Sequence, residues 1–238
     1  MSRSNVIYYP TADSTNRVLR EYSENGYEGL TVVAGEQTQG KGRMGRSFLS
    51  PKGGLYMSVL LKPQSHDFSL ITAAAAVAVS DVLEKRFGIL CGIKWVNDII
   101  YNEKKLCGIL AESIFDNACT PKAVILGIGI NLKAPEKGFP KEIADIATDI
   151  GVSLSTDEKI DLAAEIARAV TDIYPRPEAF TDIYRQKSVV TGKDIWVIRN
   201  GERFSAKCIG FDESCGLIAD FGTRTETLRS GEISIRLK

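Results

Sequence analysis

Leu30-Thr-Val-Val-Ala34 runs directly into Gly35-Glu-Gln-Thr-Gln-Gly-Lys-Gly-Arg-Met-Gly-Arg-Ser-Phe48. The first five residues are a β-branched strand candidate. The segment after them alternates backbone freedom with positive charge: Gly40, Lys41, Gly42, Arg43, Gly45, Arg46. Glycine admits close backbone approach but loses the most entropy on ordering. Cations on so mobile a loop repel one another until an anion sits among them. Arginine's planar fork suits a phosphate or carboxylate, and lysine adds a point charge. The stretch therefore reads as a strand delivering a loop that orders around a phosphate or acyl-phosphate. A solvated basic loop has the same composition, so the rest of the chain must separate the two.

The charge balance is the first discriminator. Over 238 residues, 30 Lys and Arg offset 30 Asp and Glu, for a formal net charge of zero. Nucleic-acid binding normally shows as a basic face or a high pI. Cations concentrated locally on a neutral background favour a small anionic ligand instead. The length holds one large domain, or a large one with a small one. The five cysteines, Cys91, Cys107, Cys119, Cys208 and Cys215, are scattered, with no Cys-x-x-Cys pair. That argues against a disulfide framework and a zinc site, and suits a reducing cytoplasm. No apolar signal core opens the chain, and the longest apolar run, residues 70–79, is too short to cross a bilayer. His66 is the single histidine and reads as a surface loop residue. Chemistry must then run on lysine, arginine and carboxylates, with any metal arriving with the substrate.

Upstream of the opening stretch, residues 6–9 form a short strand candidate. Asp13-Ser14-Thr15-Asn16 then places several N-cap types ahead of Val18, Leu19 and Tyr22 on one helical face. Capping explains the quartet; a helix N-terminus also offers N–H groups and hydroxyls to a polar ligand. Downstream, residues 55–61 read as a buried strand. Residues 67–87 read as an alanine-rich helix with Asp67 as N-cap and Gly88 as stop. Residues 93–101 and 106–115 read as two strands joined by a tight turn at 102–104. Lys94, Asn97 and Asp98 flank the first strand's apolar run and Lys105 opens the second. Charged residues beside Trp95, Ile99 and Ile100 are partly buried and need partners. Residues 123–131 form an apolar strand containing Gly127 and Gly129 and ending in Asn131. The glycines imply either bulges or close approach by a ligand or another backbone.

A helical turn is expected at 143–148, with helices over 157–174 and 177–186. From residue 189 onward only short strands and turns remain, five strands in all, which predicts a small β-barrel module. The expected division is a catalytic domain over residues 1–187 and a barrel over 188–238. The fold class is α+β: a mixed β-sheet packed with helices, followed by the small barrel.

Together, Asp13-Ser-Thr-Asn16, Gly40-Lys-Gly-Arg-Met-Gly-Arg46, Lys94-Trp-Val-Asn-Asp98 with Lys105-Leu-Cys-Gly-Ile-Leu110, and Gly127-Ile-Gly-Ile-Asn131 resemble the biotin protein ligases. The resemblance covers nearly the whole chain. It implies a catalytic domain like that of class II aminoacyl-tRNA synthetases and lipoate ligases, plus an SH3-like C-terminal barrel. It also implies the reaction: biotin and MgATP give biotinyl-5′-AMP and pyrophosphate, and biotin passes to one lysine of a biotin carboxyl carrier domain. Carried over by motif, Ser14, Thr15 and Asn16 contact the ureido ring. Gln37, Lys41, Gly42 and Arg43 hold the carboxyl end and the adenylate phosphate. Lys105 contacts carboxylate and α-phosphate, and Asp98 receives the incoming lysine. Arg43, Arg46, Lys94, Asn97 and Asn131 line the nucleotide side. The catalytic set is Arg43, Lys105 and Asp98, with no metal site beyond the Mg²⁺ carried by ATP.

Three positions depart from the family pattern: Lys41 stands for a common arginine, Phe48 for tryptophan and Val96 for proline. The first two preserve charge or aromaticity, so retained function with altered affinity is expected. No helix-turn-helix is found ahead of Val6, so this reads as a short form for which DNA binding is not implied. A homodimer is left open. The rival readings are a lipoate–protein ligase, with the same reaction type, and a non-catalytic biotin-binding regulatory module.

Overall fold

Strands β1 (Val6–Tyr9), β2 (Thr31–Ala34), β3 (Leu55–Leu61), β4 (Gly92–Lys94), β5 (Asp98–Tyr101), β6 (Lys104–Phe115) and β7 (Pro121–Ile130) form a seven-stranded sheet in the order β1-β2-β3-β7-β6-β5-β4. Only β1 and β2 pair in parallel, so the sheet is mixed, as expected. The computed structural model describes residues 5–23, 27–63, 69–229 and 233–237. His66 and Asp67, read above as a loop residue and a helix cap, lie outside the described residues. Helices are α1 (Thr15–Glu21), α2 (Ser69–Phe87), α3 (Lys141–Ala144), α4 (Thr156–Ile173) and α5 (Thr181–Gln186).

Alternation along the central strands sends successive side chains to opposite faces. Leu55, Met57, Val59 and Leu61 of β3 join Val124, Leu126, Ile128 and Ile130 of β7 in the main core, with residues of α2 and α4. Ala73, Ala74, Ala75 and Ala76 are wholly buried, so α2 meets its neighbours over small side chains. Gly88 ends α2 at φ +67, the left-handed stop that glycine adopts without a Cβ penalty. Ser155 and Glu158 close a reciprocal capping box on α4. On the opposite face of the sheet, α1 covers a smaller cluster of Leu19, Leu30, Val32, Leu60, Ala123 and Ile125. Beside α1 that face carries Gly127, Gly129 and Gly108 in place of apolar side chains, and a cavity opens over them.

Two local expectations change. Residues 93–101 form two strands: a turn at Trp95, Val96 and Asn97, with a cis Trp95–Val96 peptide, folds β4 onto β5 and pairs Lys94 with Asp98. The cause is tertiary. Trp95 Nε1 donates to Cys215 O at 3.1 Å, and Asn97 Nδ2 donates to Ile109 O at 2.7 Å. Residues 177–186 are a 3-10 turn (Pro177–Ala179) and then α5; fully buried Phe180 separates them with a non-helical backbone.

Strands β8 (Asp194–Arg199), β9 (Glu202–Phe211), β10 (Leu217–Asp220), β11 (Thr225–Leu228) and β12 (Ser234–Leu237) make a second, antiparallel sheet in the order β11-β10-β9-β8-β12. Among the described residues β11 and β12 are its two edges; the sheet is not closed between them and is consistent with the expected small SH3-like barrel. It shares the main core through Ile195, Cys208 and Leu217 with Trp95 and Tyr184.

Candidate active site

The cavity has a volume of about 1070 Å³, and every site residue named from the sequence lines it. Its floor is the glycine-bearing face of β6 and β7. A Cβ on Gly127 would lie 2.4 Å from Asn16 Oδ1, and one on Gly129 would lie 2.5 Å from the Phe48 ring. The strand register is regular through both positions. These glycines are therefore places of close approach, as one expectation held, but the approaching groups are side chains of this chain. Phe48 meets Tyr56 edge-on at 6.5 Å; its ring centroid is 5.7 Å from Lys105 Nζ.

One end of the cavity is neutral, buried and closely hydrogen-bonded. Ser14 takes the N-cap position of α1 without a side-chain cap bond. Asp13 accepts from the Ser14 N–H and pairs with Arg17. Simple capping thus leaves Ser14, Thr15 and Asn16 unexplained, and all three are buried. Gln37 Oε1 accepts from the Thr15 backbone N–H at 2.8 Å and from its hydroxyl at 3.1 Å. Gln37 Nε2 donates to Ser50 Oγ at 2.9 Å, which donates in turn to Phe48 O. Buried polar atoms without such partners would cost about 1–3 kcal/mol each.

The other end is cationic. The glycine loop folds on itself: Gly42 N–H donates to Arg46 O at 2.7 Å, and Phe48 N–H donates to Gly40 O at 2.8 Å. Met44 at φ +56 and Gly45 at φ +72 turn it. Gly40 has to be glycine, because a Cβ there would lie 2.3 Å from Phe48 O. Arg43 reaches across the site, donating to Asn97 Oδ1 at 3.4 Å and to Ile233 O at 3.1 Å. Burial lowers the Arg43 pKa, against the opposing pull of Asp98. Burial likewise lowers Lys94; Asp98 opposes this, while Lys105 and Arg236 add to it by repulsion. Lys105 Nζ lies 2.6 Å from Asp98 Oδ1. The contact is an ion pair without hydrogen-bond alignment, since Oδ1 is buried and makes no hydrogen bond. Among the described residues, neither Lys41, Arg46 nor Lys94 has an ion-pair partner. Asn131 Nδ2 donates to Thr148 O at 3.0 Å, and Thr148 N–H donates to Lys105 O at 3.0 Å. Asn131 and Lys105 are thus braced by the segment after α3.

Sequence reading missed three contributors. Ser58 and Glu112 support the neutral end. The C-terminal strand supplies Ile235, Arg236 and Leu237 to the cavity wall. No local signal marks these last residues; the segment just ahead of them meets Arg43 through Ile233 O, across 190 positions of chain.

The glycine-floored cavity thus offers a neutral hydrogen-bonding end that suits a polar head group and a cationic end that suits an anion such as a phosphate. Residues 8–131 match the Biotin/lipoate A/B protein ligase family, and the chain belongs to that family. Among its relatives is the Bifunctional ligase/repressor BirA of Bacillus subtilis, 34% identical over 97% of this chain and 74% of that protein. The Biotin--[acetyl-CoA-carboxylase] ligase of Mycobacterium tuberculosis is 28% identical over 92% of this chain and 85% of its own. The structure of the biotin protein ligase from Aquifex aeolicus in complex with biotin and ATP superposes with a TM-score of 0.84. It is 30% identical and covers 98% of this chain and 99% of that one.

Proposed function

We propose that this protein is a biotin–protein ligase: it activates biotin with MgATP as biotinyl-5′-AMP and transfers biotin to a lysine of a biotin carboxyl carrier domain. The observation that carries the assignment to particular residues is the single cavity with two unlike ends. Thr15, Asn16 and Gln37, with Ser14 beside them, receive the ureido head at the neutral end. The acyl chain crosses the glycine floor, and the carboxylate comes to lie among the cations.

In the first step a carboxylate oxygen attacks the α-phosphorus, the bond to the β-phosphate oxygen breaks, and pyrophosphate leaves. Two anions must meet, so the barrier is chiefly electrostatic and preorganised cations lower it. Arg43, Lys41 and Lys105 serve the carboxylate and α-phosphate; Arg46, Lys94, Asn97 and Asn131 serve the nucleotide. Mg²⁺ enters as part of the MgATP substrate. In the second step the carrier amine attacks the acyl carbon and AMP leaves. A free lysine has a pKa near ~10.4, so the attacking amine must shed its proton. Asp98 orients that amine and stabilises the positive charge that forms on its nitrogen during attack, close enough to accept the proton it sheds. In the resting site Asp98 is held by Lys105; moving Lys105 onto the adenylate would free the carboxylate for the carrier lysine. The glycine loop, lying against the cavity, excludes water from the labile anhydride.

No helix among the described residues is long and apolar enough to cross a membrane. All five cysteines are free, and we assign the reaction to the cytoplasm. The deciding experiment measures pyrophosphate release with biotin and MgATP, then biotin incorporation into a carrier domain. Biotin-dependent release and acid-labile adenylate are expected. Release driven by lipoic acid and not by biotin would replace the substrate assignment, and no release with either acid would remove the enzymatic one.

A further inference from the structure

Strict alternation along β6 would turn Lys105 away from the cavity. Gly108 and Leu110 line it, whereas Cys107 and Ile109 enter the core, so alternation assigns Leu106 to the cavity and Lys105 to the core. The register against β5 shifts: Ile99 pairs with Cys107, but Ile100 pairs with Lys105. Leu106 is therefore an extra residue, and it is wholly buried in the core beside Cys107. Lys105 emerges on the same face as Gly108 and lines the cavity. A β-bulge of this kind re-aims a side chain beside a site. The ammonium then lies back over its own strand, beside the face of Phe48. A Cβ built on Gly108 would stand 3.1 Å from Lys105 Nζ and 2.9 Å from Phe48 Cε2. Phe48 is fixed by its surroundings. Its ring rests over Gly129 and meets Tyr56 edge-on; its N–H donates to Gly40 O and its carbonyl accepts from Ser50 Oγ. Lys105 Nζ stands 5.7 Å from the ring centroid, inside the ~6 Å over which a ring face attracts a cation.

We infer that Phe48 is a positioning residue for Lys105: its ring face holds the ammonium at the cavity floor while Lys105 gives up Asp98 for the carboxylate and α-phosphate. This rests on the biotin–ligase reading above, and deepens it by naming what guides the cation between its two partners. The pair with Asp98 is close, at 2.6 Å, but is not aligned as a hydrogen bond, so Asp98 does not fix the direction of the ammonium. At 5.7 Å the contact with the ring is near its outer limit. An ammonium that leaves Asp98 and moves inward over the floor strengthens that contact. An interaction stronger in the transition state than at rest raises the rate. Gly108 keeps the path open, since a Cβ there would press on both ring and ammonium.

The test replaces Phe48, by nonsense suppression, with phenylalanines carrying one, two and three ring fluorines. Each fluorine leaves the shape nearly unchanged and drains negative potential from the ring face. The readout is the single-turnover rate of adenylate formation at saturating biotin and MgATP. It should fall stepwise along the series, by about fivefold for the trifluoro ring, the scale of a cation–π contact at a partly exposed site. The same series is then placed in Lys105→Met, whose own slower rate is the baseline; there the rate should change by less than about twofold, because no cation remains for the ring to hold. A flat series with Lys105 present overturns the inference, since the ring would then only fill space. An equal decline in Lys105→Met also overturns it, since the ring would then act on the substrate directly. A wild-type protein without biotin-dependent pyrophosphate release defeats the underlying reading instead, so the two failures are told apart.

Discussion

The two ends of the cavity are made by opposite means. At the neutral end Thr15, Asn16, Gln37, Ser50 and Ser58 bond mainly to one another, close under α1. At the cationic end Lys41 and Arg46 sit exposed on the glycine loop, and the deeper Arg43 and Lys94 pay desolvation that lowers their pKa. The contrast follows from what each end must bind. A neutral head group gains from fixed dipoles, which cost nothing to reorganise on binding. A phosphate whose charge shifts during reaction gains from excess positive charge held ready for the transition state. The neutral end should therefore govern affinity, and the cationic end should govern rate.

The strongest attempt to break this division removes a cation. Arg43→Ala should reduce adenylate formation by about 10²–10³, read as biotin-dependent pyrophosphate release at saturating biotin, with a smaller loss of biotin affinity from the missing carboxylate contact and unchanged circular dichroism. Lys105→Ala should behave alike. Full activity in both would remove the cationic end from the mechanism.

Asp98→Ala probes the junction between the half-reactions. Adenylate should still form, and single-turnover transfer to the carrier domain should slow by about 10², the lower range for a proton-handling side chain. Because Asp98 also holds Lys105, equal loss of both half-reactions would show that it serves only to place that lysine.

Gly127→Ala acts on the neutral end. Its Cβ would strike Asn16 Oδ1, and overpacking of this kind costs about 1–3 kcal/mol. The biotin Kd by calorimetry should rise by about tenfold or more, with kcat at saturating biotin preserved. A fall in kcat alone would merge the two ends into one function.

The smallest effect is on stability. Burial lowers the Lys94 pKa in the fold, so the unfolded chain binds this proton more tightly. Stability then rises with pH between the folded-state value and the unfolded value near ~10.4. Lys94→Met should raise the thermal midpoint at neutral pH, and the advantage should shrink as pH approaches that upper limit. An advantage that stayed constant with pH would mean that the gain comes from packing alone.

Much of this arrangement could be read from local chemistry. Apolar runs mark β3 and β7, helical spacing marks α4, and alanines and Gly88 mark α2. The alternation of glycine with Lys41, Arg43 and Arg46 marks an anion-seeking loop. These features are legible because each rests on neighbouring residues and a fixed repeat. The short turn that separates β4 from β5 was not, since Trp95 and Asn97 take it to satisfy Cys215 O and Ile109 O far along the chain. Nor was the meaning of Gly127, which depends on a side chain arriving from α1.

The sequence by itself determined the element types, the family pattern and which residues could carry the chemistry, because those follow from composition and spacing. Tertiary structure alone decided that Asp98 lies against Lys105, that Arg43 meets the carbonyl of Ile233, and that Glu112 and Ser58 both bond to the Asn16 amide. These contacts bring together separate strands and the C-terminal segment. Their geometry is set by sheet order and burial, which no local pattern encodes.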